Sequence, residues 1–524
     1  MYKKVLMVAV LCFYTILAQV PVFAAIRPQI IFIPHDDRPI SFAQTLDTVK
    51  KLDYDVLVPP TELLGSRTSL GKPEELWQWL FTNAKKTDAV VLSSDSLLYG
   101  SLVASRKHTL TSEAVLKRVD NFEKLHAENP NLKIYVFGSI MRSPRSSDGG
   151  EEPSYYAKYG PDIFTLTSLQ DKEESDRLTR AEKKQVAKLK KNVPEEAVSD
   201  WMERRSKNFA ANTKLVELAK SNVFQYLALG RDDNAPFSQT HKESRLLSSQ
   251  GEELGVSKFQ ALAGIDEMGM VLLTRASNDL NWHIPLVAVR YAEGVGADTV
   301  PTYSDEAIGK SIQSHLFASG AIPVPTTERA DLVLLVNTAK DGVTSEANYP
   351  TNTTALHANT KAFVNEVKRY LNCGYPVAIA DISFANGADN ALMAELEKQG
   401  LLNKLAAYSG WNTANNSAGF AIGQGILVDK MKLEDKNRLL SVRLMDDWAY
   451  QANIRQTLAG ELNHLKGGNY SKLDLAKPKI VKSANEKMNA FAKDHLQGFD
   501  ATKVNVDFPW NRMFEASVEI ENKQ

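Results

Sequence analysis

Residues 29–42 read QIIFIPHDDRPISF. The apolar run Ile30-Ile31-Phe32-Ile33 leads straight into Pro34, His35, Asp36, Asp37, Arg38 and Pro39. An apolar run bounded by turn residues predicts a buried strand, and a parallel sheet binds its ligands at the C-terminal ends of its strands. Two adjacent carboxylates, an imidazole and a guanidinium are costly for a turn that only changes chain direction. The stretch therefore reads as one wall of a cleft.

Similar runs recur along the chain, at 55–58, 89–92, 133–137, 224–229, 260–264, 286–289, 332–336, 377–379 and 405–408. Helical patterns alternate with them, which predicts an α/β fold with mostly parallel sheets, doubly wound or barrel-like. With 524 residues the chain exceeds a single core. We expect a signal peptide over 1–25 and an α/β domain over 26–298 with a helical insertion at 169–220. A second α/β unit is expected over 299–465, then a helical segment and tail over 466–524. Pro194 should separate two helices within the insertion.

Lys3 and Lys4, the apolar stretch 5–17 and Val22-Phe23-Ala24 have the order of an export signal. Gln19 and Pro21 break the run before it reaches the ~20 residues of a membrane span. The expected location is extracytoplasmic, with no stable span after cleavage. Cys12 precedes the cleavage site, so Cys373 is alone in the mature chain and no internal disulfide can form. A formal net charge of −1 gives no reason to expect nucleic acid as a partner; a small molecule or glycan is expected instead.

Five further clusters carry chemistry. Ser93-Ser94-Asp95 leads into Tyr99 and Arg106; Asp95 suits either a site or a helix N-cap. Gly230-Arg231-Asp232-Asp233-Asn234 again sets an arginine beside two acids, or else closes a tight turn on itself. Gly264-Ile265-Asp266-Glu267 offers acids for proton transfer, or for the first turn of a helix. Trp411-Asn412, with Asn416 beyond, has the composition of a sugar platform, or of a core tryptophan followed by a helix cap. Asp447, Gln451 and Arg455 share one face at i, i+4 spacing, as an exposed ion pair would. His35 alone among the histidines stands where it can act, although a lone histidine more often makes a structural hydrogen bond.

There is no phosphate loop, no H-E-x-x-H zinc site, no G-x-S-x-G elbow and no full dinucleotide fingerprint around Gly294-Val295-Gly296-Ala297. No cofactor and no dedicated metal site are therefore expected. PHDDRP, SSDSLLYGSLVASR, GRDDNAP, GIDEMGMVLLTR and YSGWNTANN together resemble a family of secreted bacterial proteins. It is catalogued as a domain of unknown function, number forty-one twenty-seven. The resemblance spans the mature chain and implies that these motifs form one site.

The leading expectation is an exported hydrolase acting on a carbohydrate through paired carboxylates. Asp233 and Glu267, with Asp266, are the expected catalytic acids. Asp36, Asp37, Asp95, Tyr99, Asp232, Asn234, Trp411, Asn412 and Asn416 are the expected substrate-binding residues. Arg38, Arg106 and Arg231 would orient the acids or bind an anionic sugar. Two alternatives stand beside it: a hydrolase holding a divalent ion on Asp36, Asp37 and Asp95, and a two-lobed sugar- or acid-binding protein without turnover.

Overall fold

The computed structural model describes residues 27–147, 149–232, 234–499 and 501–522. The expected signal peptide lies outside these residues, as does Asp233. Strands β1 (Gln29–Ile33), β2 (Asp55–Leu57), β3 (Ala89–Ser93), β4 (Lys133–Ile140), β5 (Tyr226–Arg231) and β6 (Phe259–Ala263) form one sheet in the order 2-1-3-4-5-6. Every pair in it is parallel. A second parallel sheet holds β7 (Leu286–Tyr291), β8 (Ile322–Val324), β9 (Leu332–Asn337), β11 (Val377–Asp381) and β13 (Ala407–Ser409), in the order 13-11-9-7-8. Both sheets are open rather than barrel-like. In each, the first strand lies between the second and the third, so the strand order reverses beside β1 and again beside β7. Such reversal points are where ligands bind in open α/β sheets.

The strand β7 belongs to the second sheet, although the sequence boundary at 298 groups it with the first unit. Two-residue strands β10 (Ser345–Glu346) and β12 (Phe384–Ala385) pair outside the main sheets, and β14 (Ala501–Asp507) and β15 (Ser517–Asn522) form an antiparallel hairpin. Pro194 does separate two helices, Arg180–Asn192 and Glu195–Lys220. It occupies the N-cap of the second, where its missing N–H costs little.

The first sheet is covered on one face by the helices Pro73–Asn83, Ser112–Glu128 and Glu195–Lys220, through a core that includes Leu92, Phe122 and Leu215. Its other face packs on the helix Met268–Leu280. The helix Ala414–Leu427 lies between that helix and the second sheet, and every one of its residues is buried. Its glycines make the approach possible. A β-carbon on Gly423 would fall 2.8 Å from Met270 Cγ, and one on Gly425 would fall 2.8 Å from Leu332 Cδ2. The two sheets are thus joined through a shared apolar layer. The far face of the second sheet carries the helices Ala358–Asn372, Asn390–Lys398 and Lys477–His495.

A β-carbon on Gly419 would lie 2.3 Å from Glu267 Cγ and 3.1 Å from His315 Cδ2, atoms with no room to retreat. Gly419→Ala is expected to cost about 1–3 kcal/mol by overpacking this layer. Urea unfolding checks it: an unchanged midpoint would mean the layer is looser than described.

Among the described residues no helix is long and apolar enough to cross a membrane.

Candidate functional site

The polypeptide leaving β1 turns at once, and Arg38 draws Asp36 inward. The guanidinium donates from Nε to Asp36 Oδ2 at 2.9 Å. It also grips both oxygens of Asp266 after β6, at 2.6 and 3.1 Å. Asn412, after β13, donates to Asp266 Oδ2 at 2.7 Å, so the strand ends of both sheets meet on one carboxylate. His35 Nε2 stands 3.0 Å from Arg38 Nη2, 2.9 Å from Ser41 Oγ and 3.2 Å from Asp266 Oδ1. Burial alone would push the Asp266 carboxyl up, but Arg38 and His35 hold it well below the usual carboxylate range. Asn412 makes its bond from the left-handed region, φ 68°, a conformation asparagine tolerates better than most residues.

Asp37 points the other way. Trp510 Nε1 donates to its Oδ1 at 2.7 Å, and the same indole lies under Arg38 with 5.0 Å between guanidinium carbon and ring centre. Asp37 is partly exposed. Burial pushes its carboxyl up, with the Trp510 bond opposing and the neighbouring Asp36 charge adding to the rise.

Beside this lies a second group. Arg106 meets Glu151 at 3.2 Å and Asp232 at 3.2 Å, and Arg142 meets Glu152 at 2.7 Å, Glu151 at 3.2 Å and Asp232 at 3.6 Å. Arg512 bridges Glu151 and Glu515 and lies 5.1 Å from the Trp510 ring, tying the group to Asp37. Burial works against the Glu151 anion, but Arg512, Arg142 and Arg106 outweigh it and keep that carboxyl well below its ordinary value. Four arginines thus face six carboxylates, Asp36, Asp232, Asp266, Glu151, Glu152 and Glu515. Arg38 and Arg106 orient acids; with their donors so engaged they are not placed to bind an anionic sugar, which revises half of their expected role.

Several other expectations are also revised. Glu267 is fully buried and bonded to His315 Nε2 at 2.7 Å in the layer between the sheets, so it reaches no cleft. Burial raises its carboxyl, with His315 opposing. Trp411 is 2 % exposed and packs 5.6 Å from the Phe514 ring, a core residue and not a sugar platform. Asn416 is buried in the first turn of the helix Ala414–Leu427. Arg231 turns away from Asp232 to Asp305 and Glu306, at 3.2 and 2.9 Å. Tyr99 stacks on His108, 4.7 Å between ring centres, beside a separate cavity of about 460 Å³.

Asp95 is not an N-cap: Ser93 caps that helix, and Asp95 takes hydrogen bonds from Ser139 N and Oγ at 2.8 and 2.7 Å. Asp36, Asp37 and Asp95 each answer to a different partner, and among the described residues no three His, Cys, Asp or Glu side chains converge as metal ligands do. Asp447, Gln451 and Arg455 are buried, the first two on a π-helix spanning Leu444–Ile454 and Arg455 at the start of the α-helix Arg455–Leu462 that continues it. There Asp447 accepts from Gly410 N at 2.7 Å and pairs with Arg443, while Asp446 accepts from Gln44 at 3.1 Å.

Arg142, Glu151, Glu152, Trp510, Arg512 and Glu515 join the site without having been chosen from sequence. Arg142 lies two residues beyond the end of β4, at the kind of strand end where the other clusters stand. The others sit in polar loops, and nothing near them in sequence marks them.

Residues 30–519 match the family model described as Protein of unknown function (DUF4127). The chain belongs to the DUF4127 family. No curated protein and no solved structure matches it. In this DUF4127 chain the matched span includes the β1 turn, the Asp232 loop and the 510–515 segment alike, so the whole cluster is part of the family's domain.

Proposed function

We propose that the chain is an exported hydrolase acting on a carbohydrate, with Asp37 as proton donor. One observation carries the reading. Asp37 is a partly exposed carboxyl with a raised pKa, held by Trp510 at the edge of a cluster whose other acids are tied to arginines. A carboxyl kept protonated above its ordinary range can give its proton to a leaving glycosidic oxygen. Asp232, whose side chain is 20 % exposed, takes the proton of the attacking water, with Arg106 and Arg142 fixing its orientation. The C–O bond breaks, the leaving oxygen keeps the Asp37 proton, and water supplies the new hydroxyl. Asp233, the next residue in sequence, remains a candidate acid. Glu267 drops out.

Reducing-end release from a panel of cell-wall and environmental glycans tests the proposal. Asp37→Asn is expected to lower turnover about 10²- to 10⁴-fold on the glycan that the native protein cleaves. Native rates in both Asp37→Asn and Asp232→Asn would remove the hydrolase reading. The rival two-lobed binding protein needs its lobes to close over a ligand, and the buried helix Ala414–Leu427 joining the sheets opposes such movement.

A further inference from the structure

A cavity beside the charged cluster has no role in the chemistry proposed above. It measures about 560 Å³, within the range of small-molecule sites. Loops from both sheets line it. Arg145 follows β4, Asn234 follows β5, Tyr303 lies between β7 and β8, and Val343 and Thr344 follow β9. Two of these loops also build the cluster. The loop after β4 sends Arg142 into the cluster and Arg145 to the cavity, and the loop after β5 sends Asp232 one way and Asn234 the other.

Three features of the wall point to a ligand. Asn234 is 5 % exposed, yet its Nδ2 has no hydrogen-bond partner among the described residues, and the same holds for Thr344 Oγ1. A buried amide left so is costly unless something accepts from it. Arg145 is exposed and stacks on Phe164, 5.2 Å from the ring centre, with no carboxylate of the described residues in ion-pair range. This contrasts with Arg38, Arg106, Arg142 and Arg512, each held by acids. Val300, Tyr303 and Val343 are 54 %, 43 % and 62 % exposed, an apolar rim around the same opening. Tyr303 is held there at φ 69°, with its carbonyl accepting from Asn234 N at 3.1 Å.

We propose that this cavity binds a carboxylate-bearing, hydroxylated small molecule of the sugar-acid class. Arg145 takes the carboxylate through its planar pair of N–H donors, Asn234 Nδ2 gives a hydrogen bond to a ligand oxygen, and Thr344 bonds a hydroxyl. The C–H face of the ring lies on the valine and tyrosine rim. The inference goes beyond the hydrolase reading and does not need it.

Calorimetry on the full chain with glucuronate and glucose as probes decides the matter. Glucuronate is expected to bind at least tenfold more tightly than glucose. Arg145→Ala should remove that difference by weakening glucuronate alone, and Val343→Trp, which fills the opening from an exposed position, should weaken both. Equal binding of the two sugars, no binding of glucuronate, or glucuronate binding unchanged in both variants would overturn the proposal. Glucuronate binding as stated, with no glycan hydrolysed by the native protein, supports this site while removing the hydrolase reading. Hydrolysis without glucuronate binding does the reverse.

Discussion

Arg38→Met is expected to destabilise the fold by about 3–5 kcal/mol, the cost of leaving buried carboxylates without their cation. Asp36 is 0 % exposed and Asp266 5 %, and both are satisfied chiefly by the one guanidinium. Removing it leaves two negative charges facing each other in a dry turn. Changing Asp36 and Asp266 to asparagine in the same background should recover part of the loss, because the penalty belongs to the unpaired charge. Urea unfolding of the three proteins measures this. A loss below about 1 kcal/mol for Arg38→Met would mean that the turn is better hydrated than its burial implies.

The second large effect is on pH. Burial and the neighbouring Asp389 charge push the Asp381 carboxyl up to about 7, and burial with Asp447 pushes Asp446 up to about 6. An acid whose folded pKa is raised contributes stability that is complete below its ordinary value near 3.8. That contribution is lost as pH rises through the folded value. Asp266 and Glu151 act oppositely: their depressed values stabilise above the ordinary range and fail as pH falls. Stability should therefore peak near pH 4–5, fall as pH rises towards 7, and be lower at pH 8 by a few kcal/mol. Asp389→Asn keeps a good N-cap for the helix Asn390–Lys398 while removing a charge beside Asp381, so it should flatten the decline. Stability rising from pH 5 to pH 8 would contradict the account.

The parallel sheets were legible because strands covered on both faces are nearly all apolar, as in IIFI, AVVL and LVLLV. The terminal hairpin was not. Lys503, Asn505 and Asp507 alternate with apolar neighbours in a short polar tail, and the partner strand lies beyond a loop. The turn of β1 drew attention through its composition, but the roles within it were not readable. Asp36 and Asp37 are neighbours, yet one is locked inward by Arg38 and the other is held by a tryptophan 473 residues away. Glu267 failed as a site acid for the same reason: its partner His315 is 48 residues distant, and only packing brings the two together. The i, i+4 reading of Asp447, Gln451 and Arg455 assumed an ordinary exposed helix. The sequence carries no mark of the π-helix that replaces it, or of the core around it.

The central claim is that Asp37 is the proton donor of this charged cluster, and the alkaline limb of the pH–rate profile tests it most directly. The donor must be protonated, so activity should fall as pH rises through the Asp37 pKa. Trp510 lowers that pKa through its hydrogen bond, and Trp510→Phe removes the bond while keeping an aromatic ring under Arg38. The account predicts that the alkaline limb moves to higher pH in Trp510→Phe. A limb that stays at the native position in a variant with measurable turnover would contradict it.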